Sequence, residues 1–269
     1  MTKPNESEPE SSEPRQIKSV RHAFDIIRYL DEVGGATLSE TAEHLDTPVS
    51  TAHVHLTTLV ETGFVVKKSG EYRCGLEFLQ VGGRLRDEMA LYQAAKPELD
   101  DLREKTDEHA NVAVEENGHS VQLYKSQSPN SVDDQAPLGD HFHAHSTATG
   151  KAILAELSAD EVDRILDERE LVSVTDSTIT DETRLRDELD EIRERGYSIN
   201  REEHFKGVCA VGTAIVSEPD DAVGAISVSG PLSRMDDHRI EAEIAPELLN
   251  KRTSSSSSSD ADNKVRTLV

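Results

Sequence analysis

The chain has 269 residues, with 53 Asp and Glu against 29 Lys and Arg, a formal net charge of −24, 4% aromatic residues and no Trp. That length allows two domains, two cysteines are too few for a disulfide framework, and no membrane span or secretory leader is legible, so a cytoplasmic protein is expected. An acidic surface of this kind suits a halophilic cytosol, where salt screens self-repulsion; it excludes a nucleic-acid binder only if the acid is spread evenly.

Residues 1–16 form a polar, low-complexity tail, expected to be disordered. Val20, Phe24, Ile27 and Leu30 then keep helical spacing, predicting a first helix over 19–33. Leu38, Ala42 and Leu45 give one stripe of a second helix, with Thr37 as N-cap and Glu40 three residues later. Pro48 suits a first helical position, and Ala52, Leu56, Leu59 and Val60 form the inward face of a third helix. Ser50, Thr51, Val54 and Thr58 project the other way, flanked by His53 and His55. Gly63 is placed to stop this helix in a left-handed conformation. Phe64-Val65-Val66 and Tyr72-Arg73-Cys74 then pair as strands around a wing that carries Lys67 and Lys68.

Residues 17–75 therefore read as a winged helix-turn-helix with double-stranded DNA as its partner. Short Ser and Thr side chains can reach base edges or phosphates, and Lys67 and Lys68 can meet phosphate. The plainer reading is a small three-helix core without a ligand, but such a helix more often carries Glu and Lys pairs outside. Charge supports the DNA reading: residues 15–75 hold seven Lys and Arg against eight Asp and Glu, a net of −1, so the acid lies elsewhere.

Beyond the wing, Leu76, Leu79, Val81, Leu85 and Met89 suggest a linker helix over 76–92, weakened or bent at Gly82-Gly83. Another helix is predicted from Ala94 to Thr106, then a hairpin of 112–115 and 121–124 turning at Asn117-Gly118. Residues 148–157 and 182–195 read as helices. Residues 198–200, 210–216 and 223–229 read as strands, the last two joined by a Pro219-Asp220 turn. Helices interleaved with strands over 93–252 give an α+β domain whose sheet is covered on one face; 253–269 is a Ser-rich polar tail.

Three segments of that domain resemble the IclR family of transcriptional regulators. They are His145-Ser-Thr-Ala-Thr-Gly-Lys-Ala-Ile-Leu-Ala155, Gly196-Tyr-Ser-Ile-Asn-Arg-Glu-Glu-His204 continuing to Gly207-Val208-Cys209, and Gly224-Ala-Ile-Ser-Val-Ser-Gly-Pro231 followed by Arg234. Their order after a winged helix-turn-helix matches the family over residues 17–250. The resemblance implies a GAF-like effector-binding domain, a homodimer or homotetramer, control of catabolic genes, no required cofactor and no catalytic residue. It also implies a small organic, aromatic or sugar-derived acid as effector. Carried over position by position, the effector-binding residues become Ala148, Thr149, Asn200, Glu203, Ala210, Ser227 and Ser229. Physical chemistry agrees at one point, since free N–H groups at the start of the helix after Ser146 favour a carboxylate. Ser227 and Ser229 alternate, so both face one side of a strand, although buried serines bonded to backbone would look the same. The chain departs from the family pattern at Asn200, where an acid is common, at Ala210, where Cys is common, and at Val54, where many members carry Arg.

One constellation competes. If His141-Phe-His143-Ala-His145 is extended, its three imidazoles share a face and can hold zinc, with His109, His204 or Cys209 completing the shell. That would make the protein a metal-responsive regulator or a histidine-ligated metalloenzyme. A solvent-facing or helix-capping histidine cluster is the ordinary alternative. Gly150-Lys151 is not a phosphate loop, because the glycine and the Ser or Thr that motif needs are His145 and Ala152 here.

Overall fold

The computed structural model describes residues 17–132, 136–217 and 221–258. The chain divides into two compact units, Met1–Leu85 and Arg86–Val269. The tail expected over 1–16, the Pro219-Asp220 turn and the final residues 259–269 lie outside the described residues.

In the first unit, α1 (Lys18–Val33) buries Ile26 and Leu30, whereas Val20 and Phe24 are 52% and 55% exposed. The core-facing stripe is centred on Ala23, Ile26 and Leu30; at about 100° per residue, Val20 and Phe24 lie a quarter-turn or more away. A two-residue strand β1 (Ala36–Thr37), absent from the sequence reading, leads into α2 (Leu38–His44). There Glu40 N–H donates to Thr37 Oγ1 at 3.3 Å and Thr37 N–H to Glu40 Oε2 at 2.7 Å, the reciprocal capping box predicted. Helix α3 (Val49–Glu61) starts one residue later than expected, with Pro48 as its N-cap. Its Ala52, Leu56 and Leu59 are buried. Strands β2 (Val65–Lys68) and β3 (Glu71–Cys74) pair antiparallel around Ser69 and Gly70, both at positive φ, as a two-residue hairpin turn requires. Ile26, Leu30, Leu56, Leu59, Val65 and Tyr72 close the core.

The expected linker helix is two helices, α4 (Glu77–Glu88) and α5 (Ala90–Thr106). The break falls at Met89, whose extended backbone caps α5, and the Gly82-Gly83 pair stays helical.

The second unit is built on a six-stranded antiparallel sheet. Its strands are β4 (His109–Glu116), β5 (His119–Ser126), β6 (His141–His143), β7 (Ser198–Arg201), β8 (Val208–Ser217) and β9 (Asp221–Pro231), ordered β6-β5-β4-β9-β8-β7. Alternation decides what each face meets. Val112, Val211, Ile226 and Val228 point into a core with Leu99 and Leu102 of α5 and Leu248 of α10 (Ala245–Ser258). On the opposite face, Ala214 and Ala225 pack against Ala152 and Ile153 of α6 (Ala148–Glu156). The sheet is therefore covered on both faces, not one. Helix α6 is short and buried from Ala148 through Ala155, so it has no amphipathic stripe to betray its place between layers. Behind it lie α7 (Ala159–Glu168) and α8 (Glu182–Arg195). After β9, α9 (Asp237–Arg239) and a π segment at Ile240–Ile244 lead into α10. Helix α10 continues to Ser258, so the predicted polar tail begins as helix. Neither α7 nor this C-terminal helix was legible from periodicity.

Candidate functional site

Two surfaces concentrate the candidate residues. On α3, Ser50, His53, Val54 and Thr58 are exposed, Val54 by 63%, while Thr51 and His55 are half-buried. His55 sits edge-on to His22 with ring centroids 5.5 Å apart, which turns it toward α1. Thr58 Oγ1 donates back to Val54 O at 3.0 Å. On the wing, Lys67 and Lys68 are exposed, Lys67 Nζ lying 4.8 Å from the centre of the Tyr72 ring. Nearby, Arg73 is paired with Glu71 at 2.8 Å.

The second surface is a cleft of about 70 Å³ where the sheet meets the start of α6. Ala148, Thr149, Asn200 and Ala210 meet there, with Thr147, Asn111, Gln122, His204, Phe142, Phe205, Val208 and Ala136. Local packing explains the opening. Gly212 stands opposite α6, where an added Cβ would come within 2.9 Å of Ala148 O, and a Cβ on Gly150 would come within 2.3 Å of Ala144 O. Two glycines thus let the helix start sit directly against the sheet and the preceding turn. Thr147 Oγ1 accepts the Gly150 N–H at 3.0 Å, and Lys151 N–H donates to Thr147 O. The first two N–H groups of α6, on Ala148 and Thr149, have no carbonyl of their own helix to meet, and both residues line the cleft.

The two compact units match two profiles. Residues 19–69 match the IclR helix-turn-helix domain, and residues 84–256 match the bacterial transcriptional regulator IclR C-terminal domain. The chain belongs to the IclR family. It is 32% identical over 238 residues to the probable HTH-type transcriptional regulator ArcR of Halobacterium salinarum, covering 87% of this chain and 90% of that protein. It is 31% identical over 230 residues to the transcriptional repressor IclR of Escherichia coli, covering 84% of each. The structure of Thermotoga maritima IclR superposes with a TM-score of 0.76 at 29% identity, over 90% of this chain and 98% of that one. As an IclR-family protein, this chain is a transcriptional regulator with an effector-binding domain, and its relatives are regulators rather than enzymes.

Within this IclR-family site, three expected effector residues stand apart from the cleft wall. Ser227 and Ser229 lie one layer behind it: Asn111 Nδ2 donates to Ser229 Oγ at 3.0 Å, with Ser227 Oγ at 3.5 Å. Glu203 turns the other way, into a buried ion pair. Lys151, 1% exposed, donates from Nζ to Glu203 Oε1 at 2.7 Å and to Ile199 O at 2.7 Å, with Glu188 Oε1 at 3.6 Å. Burial pushes the Glu203 carboxyl up, and Lys151 partly opposes the shift. Glu203 N–H donates to Asn200 Oδ1 at 3.1 Å, and Asn200 Nδ2 donates to Ser146 O. Glu203 thus orients Asn200 and does not line the cleft.

Asn111, Gln122, Phe142, Thr147, His204, Phe205 and Val208 were missed by sequence reasoning. A signal existed for two of them: Asn111 and Gln122 are polar at buried strand positions whose neighbours Val112, Val121 and Leu123 are apolar.

The histidine cluster is not a metal cage. Strand β6 ends at His143, and a 3₁₀ turn at Ala144–Ser146 breaks the alternation that would place three imidazoles on one face. His145 donates from Nε2 to Val172 O at 3.0 Å, while His141 engages Gly139 O at 2.8 Å and Glu116 Oε2 at 3.3 Å. Among the described residues, no three His, Cys, Asp or Glu groups converge on a point a metal can occupy. No helix among them is long and apolar enough to cross a membrane.

Proposed function

We propose that this protein binds an operator as a homodimer and is switched by a small organic or sugar-derived acid held at the start of α6. The observation that carries the reading is the cleft itself, where the unpaired N–H groups of Ala148 and Thr149 meet uncharged polar side chains and the Phe142 and Phe205 rings. These donors and the helix dipole favour a carboxylate. The cleft's volume, about 70 Å³, is roughly half that of a cavity that accepts benzene, which favours an acid of few carbons over an aromatic one.

In the DNA-binding unit, Ser50, Thr51, His53, Val54 and Thr58 face the major groove, with His55 at the edge, and Lys67 and Lys68 take phosphate. Val54 offers only an apolar contact, so base-edge hydrogen bonds fall to His53 and the short hydroxyls. Ile17, Val20, Phe24, Leu79 and Leu85 leave apolar side chains on the surface of this unit, 52% exposed or more at every one, which supports pairing with a second copy.

Footprinting of the full-length protein on the DNA upstream of its own gene, at molar salt, tests the reading. A protected pseudo-palindrome with half-sites about one helical turn apart is expected, and its affinity should shift with a small carboxylate. Absence of sequence-selective protection there and in a genome-wide binding profile would overturn it.

A further inference from the structure

We propose that the cleft reads a hydroxyl group beside the carboxylate, and so selects a small hydroxy acid over the oxo acid of the same carbon skeleton. The inference rests on the acid-effector reading above and narrows it to one chemical class.

The argument follows where each proton must go. Gln122 Nε2 donates to Asn111 Oδ1 at 3.1 Å and to Tyr124 O at 3.2 Å. A main-chain carbonyl can only accept, so the amide nitrogen must face Tyr124 O, and both its hydrogens are used. Among the described residues, Gln122 Oε1 is left without a partner, on a side chain that lines the cleft and is 5% exposed. It can only accept.

The His204 ring gives the same answer by another route. Ser146 Oγ donates its single proton to His143 O at 2.9 Å. Both contacts are satisfied at once only when the ring donates the 2.9 Å bond to Ser146 Oγ, as Nδ1–H. A neutral imidazole protonated at Nδ1 presents a bare lone pair at Nε2. Burial, with His143 and His145 close by, pushes the His204 pKa down to about 4, so the ring stays uncharged through the neutral range.

The cleft therefore pairs donors with acceptors. Ala148 and Thr149 N–H groups suit a carboxylate, while Gln122 and His204, both lining the cleft, carry acceptor atoms, Oε1 and Nε2, that suit a hydrogen-bond donor on the ligand. A carboxylate has no hydrogen to give. A ketone or aldehyde oxygen has none either, and would set a lone pair against these two acceptors. A hydroxyl beside the carboxylate supplies the proton, and a site built for a ligand hydroxyl rejects the analogue that lacks it.

The decisive experiment is calorimetric titration of the full-length protein, in molar potassium chloride at neutral pH, with lactate, pyruvate and propionate. The three share a carbon skeleton and differ at one position. Lactate should bind roughly tenfold to a hundredfold tighter than either of the others. In the His204→Phe variant, lactate should lose most of that advantage while pyruvate changes little; operator binding and the melting temperature report whether the variant is folded. Pyruvate binding as tightly as lactate to the parent protein would overturn the inference and leave the acid-effector reading standing. Equal weakening of lactate and pyruvate by His204→Phe would also overturn it. If none of the three binds while the operator footprint persists, this inference falls, and the acid-effector reading falls too if sugar-derived acids also fail to bind.

Discussion

Removing Lys151 while keeping Glu203 should be among the most damaging single changes in the effector-binding unit. The ammonium is 1% exposed and holds Glu203 Oε1 and Ile199 O, each at 2.7 Å. Lys151→Met would leave a carboxylate that is 7% exposed facing Glu188 with no cation between them. Breaking a buried pair from one side typically costs about 3–5 kcal/mol, because the surviving charge is stranded. For a domain of this size, that corresponds to a fall of about 10 °C in melting temperature. The double variant Lys151→Met/Glu203→Gln removes the stranded charge and should recover a large part of the loss. The pH dependence has a definite sign. Glu203 already has a raised pKa, so stability linked to its proton is present at low pH and is lost as pH rises through that pKa. The deficit of Lys151→Met should accordingly shrink from pH 8 to pH 5. Thermal melts of the parent, both single variants and the double, at constant molar salt, make the cycle. A Lys151→Met variant melting within 2 °C of the parent, or strictly additive effects, would refute the reasoning.

Three further predictions follow from the geometry. Lys67→Ala/Lys68→Ala should weaken operator binding alike on all sequences and lower the slope of log affinity against log salt by about two, as measured by fluorescence anisotropy. His204, with a pKa pushed down to about 4 from an ordinary 6.5, takes its proton more readily unfolded than folded. Its contribution is complete at neutral pH and is lost as pH falls below 6.5, by about 2 kcal/mol at pH 5, so the parent should lose more melting temperature between pH 7 and pH 5 than His204→Phe. Gly150→Ala puts a Cβ within 2.3 Å of Ala144 O, a backbone atom, so the start of α6 must shift; acid binding should be abolished, read by calorimetry, with a melting loss of about 3 kcal/mol or more.

Features written by neighbouring residues were legible in the sequence. The Thr37–Glu40 capping box, the Asn117-Gly118 turn and the buried face of α3 depend on groups a few positions apart. The helix-turn-helix followed from such features, while the family was reached through the resemblance of three ordered motifs in the second domain. Alternation and helical spacing did not say which partner each face would meet. Val20 and Phe24 fit a helical stripe yet face outward, because the core chose the neighbouring stripe of α1. The spacing of three histidines promised a shared face, but a 3₁₀ turn at Ala144–Ser146 withdrew it.

The candidate cleft divides in the same way. Ala148 and Thr149 were named through the family resemblance, and local chemistry agreed with them because a helix start leaves N–H groups without an intrahelical partner. Asn111, Gln122 and His204 reach the same cleft only because β4, β5 and the 202–207 loop are brought together by the sheet and by α6 packing against it. Glu203 shows the reverse, since its sequence position fitted the pocket and Lys151, 52 residues away, drew it into an ion pair. The sequence by itself determined the helix-turn-helix, its Thr37 cap and the hairpin turn at Asn117-Gly118, because those depend on short-range chemistry, and its ordered motifs pointed to the family. Only the tertiary structure decided which hydrogen-bond donors and acceptors remain unpaired in the cleft, because each one's partner lies far along the chain.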